Sequence, residues 1–109
     1  MAVTDYTFFL KKGEENATPS ASLAEAAGFS DIRALQADIA RSRAAGQIIC
    51  SSSRGGYFLP ASKEEIETFI RSMEARAKNT LLAIRSARQA IREIEGQLSL
   101  KDLETEIKS

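Results

Sequence analysis

Five cations fall within residues 28–63, namely Arg33, Arg41, Arg43, Arg54 and Lys63, and only Asp31 and Asp38 oppose them. The local balance is plus three, in a chain whose 15 Lys and Arg are cancelled by 15 Asp and Glu. Residues 1–27 hold Lys11 and Lys12 against Asp5, Glu14, Glu15 and Glu25, and residues 64–109 hold eight basic against nine acidic side chains. The positive charge is therefore concentrated in the middle. Guanidinium and ammonium groups gathered in this way pair with phosphate oxygens, and an Arg or Gln that reaches a base edge can also read it.

Other reactive chemistry is thinly supplied. The chain has no His and one Cys, which removes the commonest general base and metal ligand. Ser51, Ser52 and Ser53 have no base to activate a nucleophile, and no glycine spacing matches a phosphate-binding loop. Cys50 closes the β-rich run 47–50, behind Ile48 and Ile49, and reads as core packing. No catalytic residue, cofactor or metal is expected, and the chain does not read as an enzyme. Its 109 residues suit one compact domain with an appendage. There is no run of eighteen apolar residues, and Asp5 precedes the first short apolar stretch where a signal peptide would be basic. The expectation is a cytoplasmic protein with no membrane span.

The elements that must position the cations differ on either side of Pro60. Before it, Gly13, Pro19, Gly28, Gly46, Gly55 and Gly56 punctuate the chain, so its elements are short. Residues 4–12 predict a helix with Tyr6, Phe8, Phe9 and Leu10 in the core. Thr18 followed by Pro19 predicts a cap and a first helical position, and Leu23, Ala24, Ala26 and Ala27 make a second helix. Gly28 supplies the positive φ of a sharp turn, Phe29 plugs it, and Ser30 caps a third helix over 31–45 with Ile32, Leu35, Ile39 and Ser42 on its inner face. Two β-rich runs, 47–50 and 56–59, flank a polar turn and predict a hairpin. The fold class is mainly α with a small β-hairpin: a winged helix-turn-helix over 1–60 followed by a long C-terminal helix over 62–109.

The strings LAEAAGFS, LQADIARSRAAGQIICS and RGGYFL resemble the N-terminal winged helix-turn-helix domains of biotin-operon repressor-like proteins. With IRSMEAR in the tail, the chain also looks like the small winged-helix proteins of phages and prophages. The resemblance covers about residues 5–75 and departs at Ser42, where an apolar residue is usual. It implies that the third helix enters the major groove of double-stranded DNA and that the wing reaches a neighbouring groove or phosphate. On that placement Ser30, Arg33, Ala37, Ala40, Arg41 and Ala44 point outward, with Gln36 and Arg43 on the flank. Arg33 and Gln36 would meet base edges, while Arg41, Arg43, Arg54, Lys63 and the Ser51–Ser53 hydroxyls would hold phosphates.

After Pro60 the only glycine is Gly96 and there is no proline. Ser62 and Glu65 have the spacing of a capping box. Ile66, Ile70, Met73, Ala77, Thr80, Ile84, Ala87, Ile91, Ile94 and Leu98 then alternate steps of four and three, a heptad repeat sustained over more than four heptads. Over 62–98 such a helix is roughly 55 Å long, more than a 60-residue domain can cover. Its first turns, around Ile66, Phe69, Ile70 and Met73, are expected to pack on the domain. The seam Ile70, Met73, Ala77, Ile84, Ala87, Ile91, Ile94 and Leu98 calls for a second copy, parallel or antiparallel. Beyond Gly96 the pattern shifts to Leu100, Leu103 and Ile107, which predicts a bend or a second short helix. The expectation is a homodimeric, DNA-binding, prophage-related regulator of transcription. The alternative is a non-catalytic assembly module that binds a phage or host protein through residues 70–108 and does not touch DNA.

Overall fold

The computed structural model describes the backbone of residues 4–108 and the side chains of residues 4–97. The chain is mainly helical, with a small three-stranded antiparallel sheet and a long C-terminal helix. The elements are β1 (Thr18–Pro19), α1 (Ser20–Ala26), α2 (Ile32–Ala44), β2 (Cys50–Ser51), β3 (Gly56–Phe58) and α3 (Lys63–Lys108), preceded by 3-10 turns at Tyr6–Phe8 and Glu14–Asn16. Two compact units divide the chain at Ser72 and Met73, so the first turns of α3 belong to the first unit.

The helix expected over 4–12 shrinks to the 3-10 turn Tyr6–Phe8. Its backbone is claimed from elsewhere. The Tyr6 N–H donates to Gln47 Oε1 at 3.1 Å, and the Gln47 amide donates back to the Thr4 carbonyl at 2.6 Å. Farther on, Lys11 accepts from the Leu59 N–H and Gly13 donates to the Leu59 carbonyl, so this stretch runs beside the exit of β3. Tyr6 and Leu10 are buried as expected, whereas Phe8 is 83% exposed and Phe9 37% exposed. A short turn can present only one side to a core.

The sequence also concealed a strand. Thr18 and Pro19 are extended and pair with Tyr57 and Gly56 of β3, giving the strand order β1-β3-β2. Thr18 therefore does not cap α1. The Ser20 N–H and hydroxyl both donate to the Gly55 carbonyl, at 3.2 and 2.8 Å, so the hairpin satisfies the helix start. Gly56 lies so close to β1 that a Cβ there would stand 2.5 Å from the Thr18 carbonyl oxygen.

Gly28 has φ of 81°, as the turn between α1 and α2 requires. The cap of α2 is Asp31 rather than Ser30: its carboxylate accepts from the Ala34 N–H at 2.7 Å. A carboxylate at this end also places a negative charge at the positive pole of the helix, which a hydroxyl cannot do. Leu35, Ile39 and Ser42 are buried, but Ile32 is 43% exposed because it lies in the first turn, beyond the core. The core joins Tyr6, Leu10, Leu23, Ala24, Leu35, Ile39, Ile49 and Tyr57, with Phe29 and Leu59 packed against it. Each fully buried aliphatic here contributes about 1.5–3 kcal/mol.

Ser42 is wholly buried, and its hydroxyl has no hydrogen-bond partner among the described residues. An unmatched hydroxyl in an apolar core costs free energy, and Ala is also the better helix former. Ser42→Ala is therefore expected to stabilise the fold by about 1 kcal/mol. The urea midpoint checks it; a lower midpoint than the parent protein refutes it.

The start of α3 follows the capping-box expectation with one change. The Glu65 N–H donates to Ser62 Oγ at 3.2 Å, but the Glu65 carboxylate reaches Ala61 N–H at 2.8 Å and Glu14 N–H at 3.0 Å. It thus ties the helix start to the second 3-10 turn. Within the first unit Ile66 and Phe69 are half-buried, while Ile70 stays 46% exposed. The helix continues through Gly96 to Lys108, where the sequence suggested a bend or a second helix. One glycine costs about 1 kcal/mol relative to Ala, too little to stop a helix flanked by Glu, Gln and Leu.

Candidate nucleic-acid interface

The outer face of α2 is built by its inner one. Burial of Leu35, Asp38, Ile39 and Ser42 leaves Arg33, Gln36, Ala37, Ala40, Arg41 and Ala44 exposed, with Ser30 exposed just before the helix. Arg33 and Arg41 are separated by about 12 Å along the axis. Between them the side chains are alanines and one glutamine, so the face is shallow and permits close approach of a broad partner.

Arg41 is partly engaged. Its Nη2 donates to Asp38 Oδ1 at 3.3 Å, with Arg41 65% exposed and Asp38 13%. On its other oxygen Asp38 accepts from the Tyr6 hydroxyl at 2.6 Å. Burial alone would push the Asp38 carboxyl up, but hydrogen bonds from Tyr6, Thr4 and Arg41 and the Arg41 charge together hold it below the ordinary aspartate range. The Tyr6 hydroxyl is raised above its ordinary value, first by burial and then by the Asp38 it donates to. Asp38 therefore stays charged at neutral pH and cancels part of the Arg41 field.

Arg43 occupies a different place from the flank of the outward face. Its Nε donates to the Ile49 carbonyl at 2.9 Å and its Nη2 to Ser51 Oγ at 3.1 Å. The guanidinium also lies 5.9 Å from the Tyr57 ring and 5.5 Å from the Phe69 ring. It joins α2, the hairpin and the first turns of α3, because it sits in the last turn of α2 opposite the incoming strand. A planar, weakly hydrated cation suits such a mixed apolar and carbonyl site.

At the hairpin tip, the Ser52 N–H donates to the Gly56 carbonyl at 2.7 Å and the Ser52 hydroxyl accepts from Arg54 N–H at 3.2 Å. Arg54 and Ser53 are exposed. An open cleft of about 620 Å³ beside the tip is lined by Glu14, Glu15, Pro19, Ser52, Ser53 and Arg54. Two carboxylates thus share the opening with one guanidinium. Lys63 is 84% exposed and lies 3.8 Å from Glu67. Cys50 is buried between its neighbours, and burial first, then the Glu65 charge, pushes its thiol up. It stays protonated at neutral pH.

The second unit, taken by itself, is the remainder of α3. Of its described side chains only Met73 is half-buried; Ala77, Ala87 and all the others are exposed. Leu81, Ile84, Ile91 and Ile94 range from 43% to 66% exposed. Leu98, the last seam position expected, and Leu100, Leu103 and Ile107 lie outside the residues whose side chains are described. No described helix is long and apolar enough to cross a membrane, and among the described residues no group of three His, Cys, Asp or Glu could hold a metal.

The sequence does not single out Asp38, which holds the first turn to α2, or Gln47, which holds it to the segment after that helix. The available signal was position: Asp38 follows Leu35 by three and precedes Ser42 by four, which places a carboxylate on the buried stripe. No known protein family, curated protein or solved structure matches this chain.

Proposed function

We propose that the first unit is a winged helix-turn-helix that binds double-stranded DNA, and that the chain acts as a homodimeric regulator of transcription of the phage and prophage kind. The observation that carries the reading is the outer face of α2, with Arg33 and Arg41 flanking Gln36 and a line of alanines, all exposed. A helix pair joined through Gly28 and followed by a hairpin with an exposed Arg54 at its tip supports the same reading. In it Arg33 and Gln36 approach base edges, while Arg41, Arg54 and Lys63 contact phosphates. Arg43 acts indirectly, by fixing the hairpin against α2.

The test is duplex binding measured against salt. The parent protein is expected to bind duplex at low salt and lose affinity as salt rises. Combining Arg33→Ala, Arg41→Ala and Arg54→Ala should weaken binding at least about tenfold and flatten the log–log salt slope by about two to three per subunit. An unchanged affinity, or no binding by the parent protein at low salt, removes the proposal. The second reading, a non-catalytic assembly module, is favoured by Leu81, Ile84, Ile91 and Ile94 standing exposed and by the carboxylates beside Arg54. It expects no duplex affinity and retention of a protein partner by residues 70–108.

A further inference from the structure

We infer that a second copy of α3, running antiparallel and centred at the level of Leu82, covers the apolar stripe of the second unit. This rests on the dimer in the proposed function and not on its DNA contacts. The heptad places Ile70, Ala77, Ile84 and Ile91 at one seam position and Met73, Thr80, Ala87 and Ile94 at the other. Antiparallel pairing then sets Met73 against the partner's Ile91, Ala77 against the partner's Ala87, and Thr80 against the partner's Ile84. Each layer occurs twice by symmetry. Ile94 continues the stripe over the partner's Ile70. The layers are complementary in size: the medium Thr80 faces a large residue, and two alanines meet where the helices approach most closely.

Charges beside the seam decide the direction. In this register Glu74 flanks the partner's Arg88, twice, and Leu81, 66% exposed, meets the partner's Leu81 across the axis. Among the described residues neither Glu74 nor Arg88 makes an ion pair within its own chain. A parallel dimer would instead set Phe69 beside the partner's Glu74, Arg76 beside the partner's Leu81, Ala83 beside the partner's Arg88 and Ala90 beside the partner's Glu95. None of those is a pair of opposite charges. The antiparallel like-charged pair, Glu67 with the partner's Glu95, also occurs twice, but Glu67 is already paired with Lys63 of its own helix at 3.8 Å, and the pair falls at the end of the overlap.

Two side-chain details agree with a covered seam. The Thr80 hydroxyl donates to the Arg76 carbonyl of its own helix at 2.8 Å, so it can be buried without an unmatched polar group. Gln89, Arg92 and Glu93 hydrogen-bond with one another on the opposite face, which remains in water.

The full-length chain tests this directly. One preparation carries Ala77→Cys and another, with a size tag, carries Ala87→Cys. The native Cys50 is left buried in both. Under mild oxidation the mixture is expected to form mixed disulfides at least about tenfold faster than either variant links to itself, since only facing positions come within disulfide reach. Self-linking of each variant overturns the orientation while keeping the dimer. A monomeric mass by light scattering, with no cross-link, overturns the dimer itself. As an independent measure, Glu74→Arg and Arg88→Glu should each weaken self-association about tenfold, and their combination should restore it. Failure of the combination to restore it counts against this register. An intact antiparallel dimer without duplex affinity would remove only the DNA reading.

Discussion

Asp38→Ala is expected to lower the stability of the first unit by about 2–3 kcal/mol near neutral pH, one of the two largest effects of a single change in this protein. The carboxylate accepts the Tyr6 hydroxyl at 2.6 Å and an Arg41 N–H at 3.3 Å. Its loss leaves a buried phenol without an acceptor and frees the turn at Tyr6–Phe8 from α2. The same contacts set a pH dependence. Asp38 is held below the ordinary aspartate value of 3.8, so the folded state keeps its carboxylate charged to lower pH than the unfolded chain does. Its contribution is complete above about pH 4 and disappears as pH falls through the lowered value. The Tyr6 hydroxyl is raised above its ordinary value of 10.0. Its contribution is complete below about pH 10 and is lost as pH rises beyond that. Urea unfolding of the parent and of Asp38→Asn should therefore show a stability gap at neutral pH that closes in strong acid. A gap that persists unchanged to about pH 2 would show that the Asp38 charge is not its source.

Gly56→Ala is expected to cost about 3 kcal/mol, at the upper end for overpacking. The reason is the neighbour it meets. A Cβ at this position would lie 2.5 Å from the Thr18 carbonyl oxygen and 2.9 Å from its carbon, and both are backbone atoms that cannot rotate aside. Relief requires β1 to leave β3, which would also disturb the Ser20 contacts to the Gly55 carbonyl at the start of α1. Circular dichroism melting distinguishes this from a local effect: the melting temperature should fall by well over 5 °C. An unchanged melting temperature would mean that β1 can separate from β3 without loss. If the DNA reading holds, salt-dependent duplex binding should fall with the same variant, because the hairpin tip carrying Arg54 is held by the same strand pairing.

Sequence alone determined the features decided by neighbours within a turn or two. The alternating three and four steps from Ile66 onward can be satisfied only by a helix, and Ser62 with Glu65 marks where it starts. Gly28 marks a turn because its φ of 81° is costly for any residue with a Cβ. Leu35, Ile39 and Ser42 disclose the buried side of α2, and thereby the outward Arg33, Gln36, Ala37 and Arg41. Tertiary structure alone decided the rest. Tyr6 and Asp38 are 32 positions apart, Tyr6 and Gln47 41, and Glu14 and Glu65 51. Which distant group receives a free N–H or hydroxyl depends on how the elements pack, and no local pattern records it. The same holds for β1, whose two residues are extended because β3 lies beside them, and for Arg43, whose charge looks available until Ile49, Tyr57 and Phe69 are placed around it.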